Sequence, residues 1–224
     1  MNRISNLIPF ALCVSLLVVL ASCAPSVKPT PPEEPPTAKL PPEKQNDLAM
    51  LDYEKMLDMT TERGKRNVLP ELEESYREVI RKYPDAYLTQ ESYWRLIRLN
   101  MWDYEPPRID EAERIREEFM QKYPNSRMIN VIDDSMSRYY YTNRQWDRLL
   151  NVLKYQIRKF IETDMLESPL FMFFYAEAKY NLNDFVEAKK GYNILVNRFP
   201  GSHEARVAGD RLKELQTQNT TTDN

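Results

Sequence analysis

Four glycines and a single histidine in 224 residues leave little material for a phosphate-cradling loop or a His-centred catalytic site. The two cysteines, Cys13 and Cys23, cannot by themselves furnish a zinc site or a disulfide framework. Neither sign of charge dominates: 31 Lys and Arg against 34 Asp and Glu give −3, with both signs spread along the chain, so no basic field exists to hold nucleic acid. No GxSxG, HExxH, P-loop or CxxCH motif occurs. The adjacent acids Glu73-Glu74, Glu117-Glu118 and Asp133-Asp134 diverge by roughly 100° on a helix and are expected on a solvated face rather than around a substrate. The expectation is a protein that is not an enzyme, takes no metal and no small-molecule substrate, and binds no nucleic acid. What is abundant is packing material, with 42% hydrophobic residues and 25 aromatics, together with 16 prolines.

The first address signal is an apolar run from Leu7 to Leu20 behind the positive Arg3. Its fourteen residues match the apolar core of a signal peptide and fall short of the roughly 20 that a spanning helix needs. Leu20-Ala21-Ser22-Cys23 then resembles a bacterial lipobox. That resemblance implies removal of a signal peptide at residues 1–22 and covalent lipid, palmitate included, on Cys23; no other cofactor is expected. Ala24 rather than Asp after the Cys implies an outer-membrane destination on the periplasmic face. Removal of 1–22 takes Arg3 away and leaves −4, so acyl chains rather than surface charge would do the anchoring. From Pro25 to Pro42 eight of eighteen residues are proline, which predicts an extended tether over 23–45.

From 46 onward the pattern turns helical and repeats. Arg81-Lys82-Tyr83-Pro84, Gln121-Lys122-Tyr123-Pro124, Arg158-Lys159-Phe160-Ile161 and Asn197-Arg198-Phe199-Pro200 place their aromatics 40, 37 and 39 residues apart. An amphipathic stretch precedes each, such as Ile109, Ala112, Ile115, Phe119 and Tyr123. Turns follow, as in Pro124-Asn125-Ser126 and Pro200-Gly201-Ser202, where Pro stops one helix and Ser caps the next. Ala176, Ala188, Tyr192, Leu195 and Pro200 resemble the small, small, aromatic, apolar and proline positions of the tetratricopeptide repeat. Leu72, Ala112 and Leu149 stand level with Ala188, and Ile97 and Ser137 with Ala176; Ile161 replaces the closing proline of the third repeat. The resemblance implies an all-α, tetratricopeptide-like helical-hairpin solenoid of about four repeats over 46–217. A capping helix is expected over 202–216 and a disordered tail over 218–224.

Lipobox, tether and repeats closing in Tyr-Pro or Phe-Pro together resemble the BamD-like outer-membrane lipoproteins, scaffolds of β-barrel assembly. The family usually has five repeats and a shorter tether, which keeps a paralogue with another partner open. The implied function is a protein-binding scaffold with envelope proteins as partners, among them a BamA-like barrel or its substrates. The alternative is an adaptor linking the outer membrane to peptidoglycan, to a Tol-Pal-type system or to secretion machinery. In tetratricopeptide arrays the first helix of each repeat lines the concave groove. The corresponding ladder is Trp94, Arg98 and Trp102, then Asp134, Arg138 and Tyr141, then Phe173, Glu177 and Tyr180. Aromatics and Arg dominate binding hot spots. For the aromatics, groove and inter-repeat core are both open; the arginines resist burial and are expected in the groove.

Overall fold

The computed structural model describes residues 35–166 and 168–222, with side chains as far as 217. The expected signal peptide, Cys23 and the first part of the tether lie outside the described residues. Nine α-helices and no strand occur among the described residues: α1 Pro42–Arg63, α2 Leu69–Lys82, α3 Tyr87–Arg98, α4 Ile109–Lys122, α5 Met128–Thr142, α6 Trp146–Thr163, α7 Pro169–Asn181, α8 Phe185–Arg198 and α9 His203–Thr222. They pair as hairpins α1/α2, α3/α4, α5/α6 and α7/α8, with α9 packed on α8 and α7 as the cap. The fold is the expected all-α, tetratricopeptide-like solenoid. We call the odd-numbered helices the A row and α2, α4, α6 and α8 the B row.

The Tyr-Pro and Phe-Pro signals work through one repeated backbone geometry. The carbonyls of Val79, Phe119 and Leu195 accept from the N–H of Tyr83, Tyr123 and Phe199, each of which has φ near −130° and ends its helix before a proline that cannot continue it. The N–H of Ala86, Ser126 and Ser202 then donates back to the same aromatic's carbonyl, turning the chain into the next A helix. Ser126 Oγ accepts from Met128 N and Ser202 Oγ from Ala205 N, both at 3.0 Å. The third repeat lacks the proline. Accordingly α6 is 18 residues long where α2, α4 and α8 are 14, and it stops only at Asp164, which adopts the left-handed conformation at φ 56°. Between α3 and α4 the turn is also longer: a π-helical segment, Leu99–Asp103, leads into Tyr104 to Arg108.

Two boundaries move. The tether does not run free to residue 45, because Gln45 is buried and ties the preceding segment down: its Nε2 donates to the Leu40 carbonyl at 2.8 Å and its Oε1 accepts from Asp85 N at 3.0 Å. Thr37 Oγ1 donates to the Lys82 carbonyl at 2.8 Å, so residues 36–45 belong to the first hairpin, and Pro41-Pro42 starts a helix rather than preventing one. At the other end α9 continues helically to Thr222, past the expected start of a disordered tail.

The apolar core is continuous from Tyr93 to Leu215, while two smaller clusters, around Ala49, Met56 and Val79 and around Val68, Leu72 and Leu99, hold the first hairpin. All seven positions aligned with Ala188 or Ala176 are buried. The approach of α7 and α8 depends on a residue outside that alignment: a methyl group on Gly191 would lie 2.9 Å from Ala176 Cβ. Consecutive A helices touch one another along the whole array, α1 to α3, α3 to α5, α5 to α7 and α7 to α9. The B helices are tied by ion pairs, Arg77 to Glu111 at 2.6 Å and Glu73 to Arg108 at 3.0 Å, Arg148 to Asp110 at 2.8 Å, and Arg198 to Asp164 at 2.6 Å, and between α4 and α6 also by buried Arg116, which donates to the Val152 carbonyl at 3.0 Å.

Candidate protein-binding surface

The ladder expected along the A row divides into an open half and a closed half. At the closed end, Glu177 is 2% exposed; it accepts from Tyr192 Oη at 2.6 Å and from Arg211 Nε of α9 at 3.0 Å. Burial and the Glu177 charge together push the Tyr192 hydroxyl well above the usual tyrosine range, so it stays a donor. Phe173 is buried against Phe174 and Tyr141. Tyr180 carries Arg211 over its ring at 4.7 Å and packs edge-on to Phe185. Neither Phe173 nor Glu177 is therefore a groove residue: Phe173 packs in the core beside Tyr141 of α5, and Glu177 is engaged by Tyr192 of α8 and Arg211 of α9. Tyr141, tucked between Trp146 and Phe174, is half-buried and serves the core between the third and fourth repeats.

The α5 rung lies between these extremes. Asp134 and Arg138 pair with each other four residues apart at 2.9 Å, in the solvated arrangement typical of an exposed helix face. Asp133 departs from the solvated face expected for it. It is fully buried, 2.7 Å from Arg116 Nε, and accepts from Gln156 at 2.9 Å, locking α4, α5 and α6 together. Burial pushes its carboxyl up and the Arg116 guanidinium opposes that.

The α3 rung is open at Arg98 and Trp102, whereas Trp94 is half-buried and packs against the main core. Trp102 projects from the π-helical segment, 44% exposed, with its ring edge-on to Tyr139 of α5. The Arg98 guanidinium lies 5.1 Å from the Trp94 ring and 5.8 Å from the Trp102 ring, and it makes no ion pair among the described residues. Stacking holds the guanidinium in place while leaving its N–H donors at the edge of its plane for a further acceptor. Beside it, between α1 and α3 and floored by Leu72 and Tyr76 of α2, opens a cleft of about 640 Å³. Its walls are Met50, Tyr53 and Leu57 of α1 and Arg95 and Arg98 of α3; Leu57 is 66% exposed. Arg95 is already engaged by Glu91 at 2.8 Å, and the Lys65 ammonium by Asp103 at 2.6 Å.

The α1 wall was not legible from the repeat alignment, which supplies rungs only from the second repeat onward. The available signal was the spacing of Met50, Tyr53 and Leu57, three and four residues apart on one helix face. Among the described residues there is no group of three or more His, Cys, Asp or Glu placed to hold a metal, and no helix long and apolar enough to cross a membrane.

In comparison with known protein families, residues 172–202, from α7 through α8 to the turn before α9, match the tetratricopeptide repeat. No curated protein and no solved structure matches the chain. The match falls on the hairpin that carries Ala176, Gly191 and Ala188, and it supports a protein-binding scaffold built of tetratricopeptide-like repeats.

Proposed function

We propose that this protein is a lipid-anchored scaffold on the periplasmic face of the bacterial outer membrane, most like the BamD family, and that it holds envelope proteins along the open part of its A row. The observation that carries the binding site is the α1/α3 cleft with Arg98 held at its rim by two indoles and in no ion pair among the described residues, although Glu54 and Asp103 also line the cleft. An apolar trough beside an unpaired, pre-oriented guanidinium suits an extended or helical segment bearing apolar side chains and one carboxylate. The address rests on the lipobox-like Leu20-Ala21-Ser22-Cys23.

Arg98→Ala combined with Trp102→Ala removes exposed groups with few internal contacts, so helical circular dichroism and melting stay near wild type. Capture of partners from detergent-solubilised membranes should fall about tenfold or more and lose much of its salt dependence. A BamA-like barrel among the partners supports the barrel-assembly role. Peptidoglycan-associated, Tol-Pal-type or secretion components in its place would transfer the scaffold to an adaptor role, and unchanged capture would move the binding surface off this cleft. The anchor is tested by mass spectrometry of the wild-type N-terminus: acylated Cys23 is expected, Cys23→Ser should abolish acylation and maturation at this site, and an intact Met1 or an unmodified Cys23 refutes it.

A further inference from the structure

The long α6 creates a second surface, on the B side. Because the third repeat lacks its closing proline, α6 gains an extra turn, and that turn carries Ile161, 75% exposed. Leu150, Lys154, Ile157, Arg158 and Ile161 follow one another at steps of four, three, one and three residues along one face, a stripe of twelve residues or roughly 16 Å. They line a depression of about 570 Å³ with Lys179 of α7 at its edge. No acidic residue lines it. Lys154 and Arg158 make no ion pair among the described residues, although most arginines of this chain are paired. Like charges four residues apart on one helix face repel and destabilise it unless an outside anion intervenes.

We infer that this depression docks an amphipathic helix of a partner protein whose apolar ridge meets Leu150, Ile157 and Ile161 and whose flanking Asp or Glu side chains meet Lys154 and Arg158. Three turns of apolar stripe match the i, i+3/i+4, i+7 anchors of a helix laid in a groove. Charge complementarity selects the acidic flanks. An anionic lipid surface fits less well, since the site is a hollow rather than a protrusion and the chain as a whole is negative. The site is separate from the α1/α3 cleft, shares no residue with it, and stands or falls without it.

The test is a photo-crosslinking residue, p-benzoylphenylalanine, in place of Ile161 in the full chain, irradiated in its own cells, with the adduct sequenced by mass spectrometry. The expected adduct lies in another protein, in a segment of helical apolar period flanked by Asp or Glu. Its yield should fall at least about fivefold when Lys154→Glu and Arg158→Glu are added, with unchanged circular dichroism confirming the fold. The same crosslinker in place of Trp102 should keep its own adducts when those two charges are reversed. Absence of an adduct at 161, an adduct on lipid, on a second copy of this chain or on a basic segment, or a yield indifferent to charge reversal would each overturn the inference.

Discussion

At the scale of single residues, Gly191 decides how closely α7 and α8 approach. Replacing it with Ala should raise helix propensity by about 1 kcal/mol in isolation, yet its new methyl would stand 2.9 Å from Ala176 Cβ on a rigid backbone. The packing penalty wins, and Gly191→Ala should destabilise the protein by about 1–3 kcal/mol in denaturant unfolding. Gly209 in α9 has nothing within 4 Å of where its methyl would go, so Gly209→Ala should stabilise by about 0.5–1 kcal/mol. Two substitutions of the same kind, opposite in sign, thus check the packing directly; equal signs would mean that the α7/α8 approach is looser than described. The small residues at 176 and 188 were legible in the sequence because they stand at repeat-equivalent positions. Gly191 was not, because a helical glycine in a sequence reads only as a weak spot until its opposite face is known. Glu177 shows the same limit from the other side: it aligns with Arg98 and Arg138 along the ladder, but its partner Arg211 lies 34 residues further on in α9, and spacing alone does not reveal that pairing.

At the scale of elements, helix identity and order were readable from 3.6-residue periodicity and from the recurring aromatic-proline stops. Boundaries that depend on tertiary support were not, since Pro41-Pro42 looks like tether until Gln45 is seen buried against Asp85. The ties between B helices belong here too. Glu111 accepts from Arg114 and from Arg77 of α2; the Arg114 bond is the largest influence on its carboxyl, and the two guanidinium groups overcome its partial burial to bring it down to about 2 from an ordinary 4.5. Because the folded value lies below the unfolded one, the stabilisation is complete above pH 4.5 and is lost as the pH falls from there towards 2. Glu73 moves in the same direction: burial opposes the shift, and Arg77, Tyr104 and Arg108 outweigh it. Acid titration of stability should therefore show wild type losing more than Glu111→Gln over this window, by about 1–2 kcal/mol once screening is allowed for. Parallel curves for the two proteins would remove Glu111 from the account.

At the scale of the whole array, each hairpin completes its core with the next, and the last relies on α9. Ending the chain after Ser202 takes away Ala205, Ala208 and Leu215 from the apolar face and strips Arg211 from the buried Glu177. The same truncation opens Glu177 to water and leaves Tyr192 donating to it, so the loss comes chiefly from the apolar surface that α9 covers. Hydrogen exchange should accelerate strongly in α7 and α8 and little in α2 and α3, because coupling passes between neighbours. Uniform acceleration would instead show one cooperative block. The open cleft sits at the opposite end of the solenoid from this cap, where the core is divided into two small clusters.

The unlike joining of the two rows has a mechanical meaning. Along the A row, successive helices meet through buried apolar contact, as at Tyr141 against Phe174, which added salt does not weaken; along the B row they meet through Arg77–Glu111, Arg148–Asp110 and Arg198–Asp164, which salt screens. Every repeat is in effect a leaf with a greased hinge on one edge and a latch on the other. Raising the ionic strength loosens the exposed latches and leaves the hinges alone, so the array softens on its B side at the first and last seams, while between α4 and α6 the buried Arg116, donating to the Val152 carbonyl, keeps its hold. Compliance is thereby set by the medium, and the softened edge is the one on which Ile161 stands.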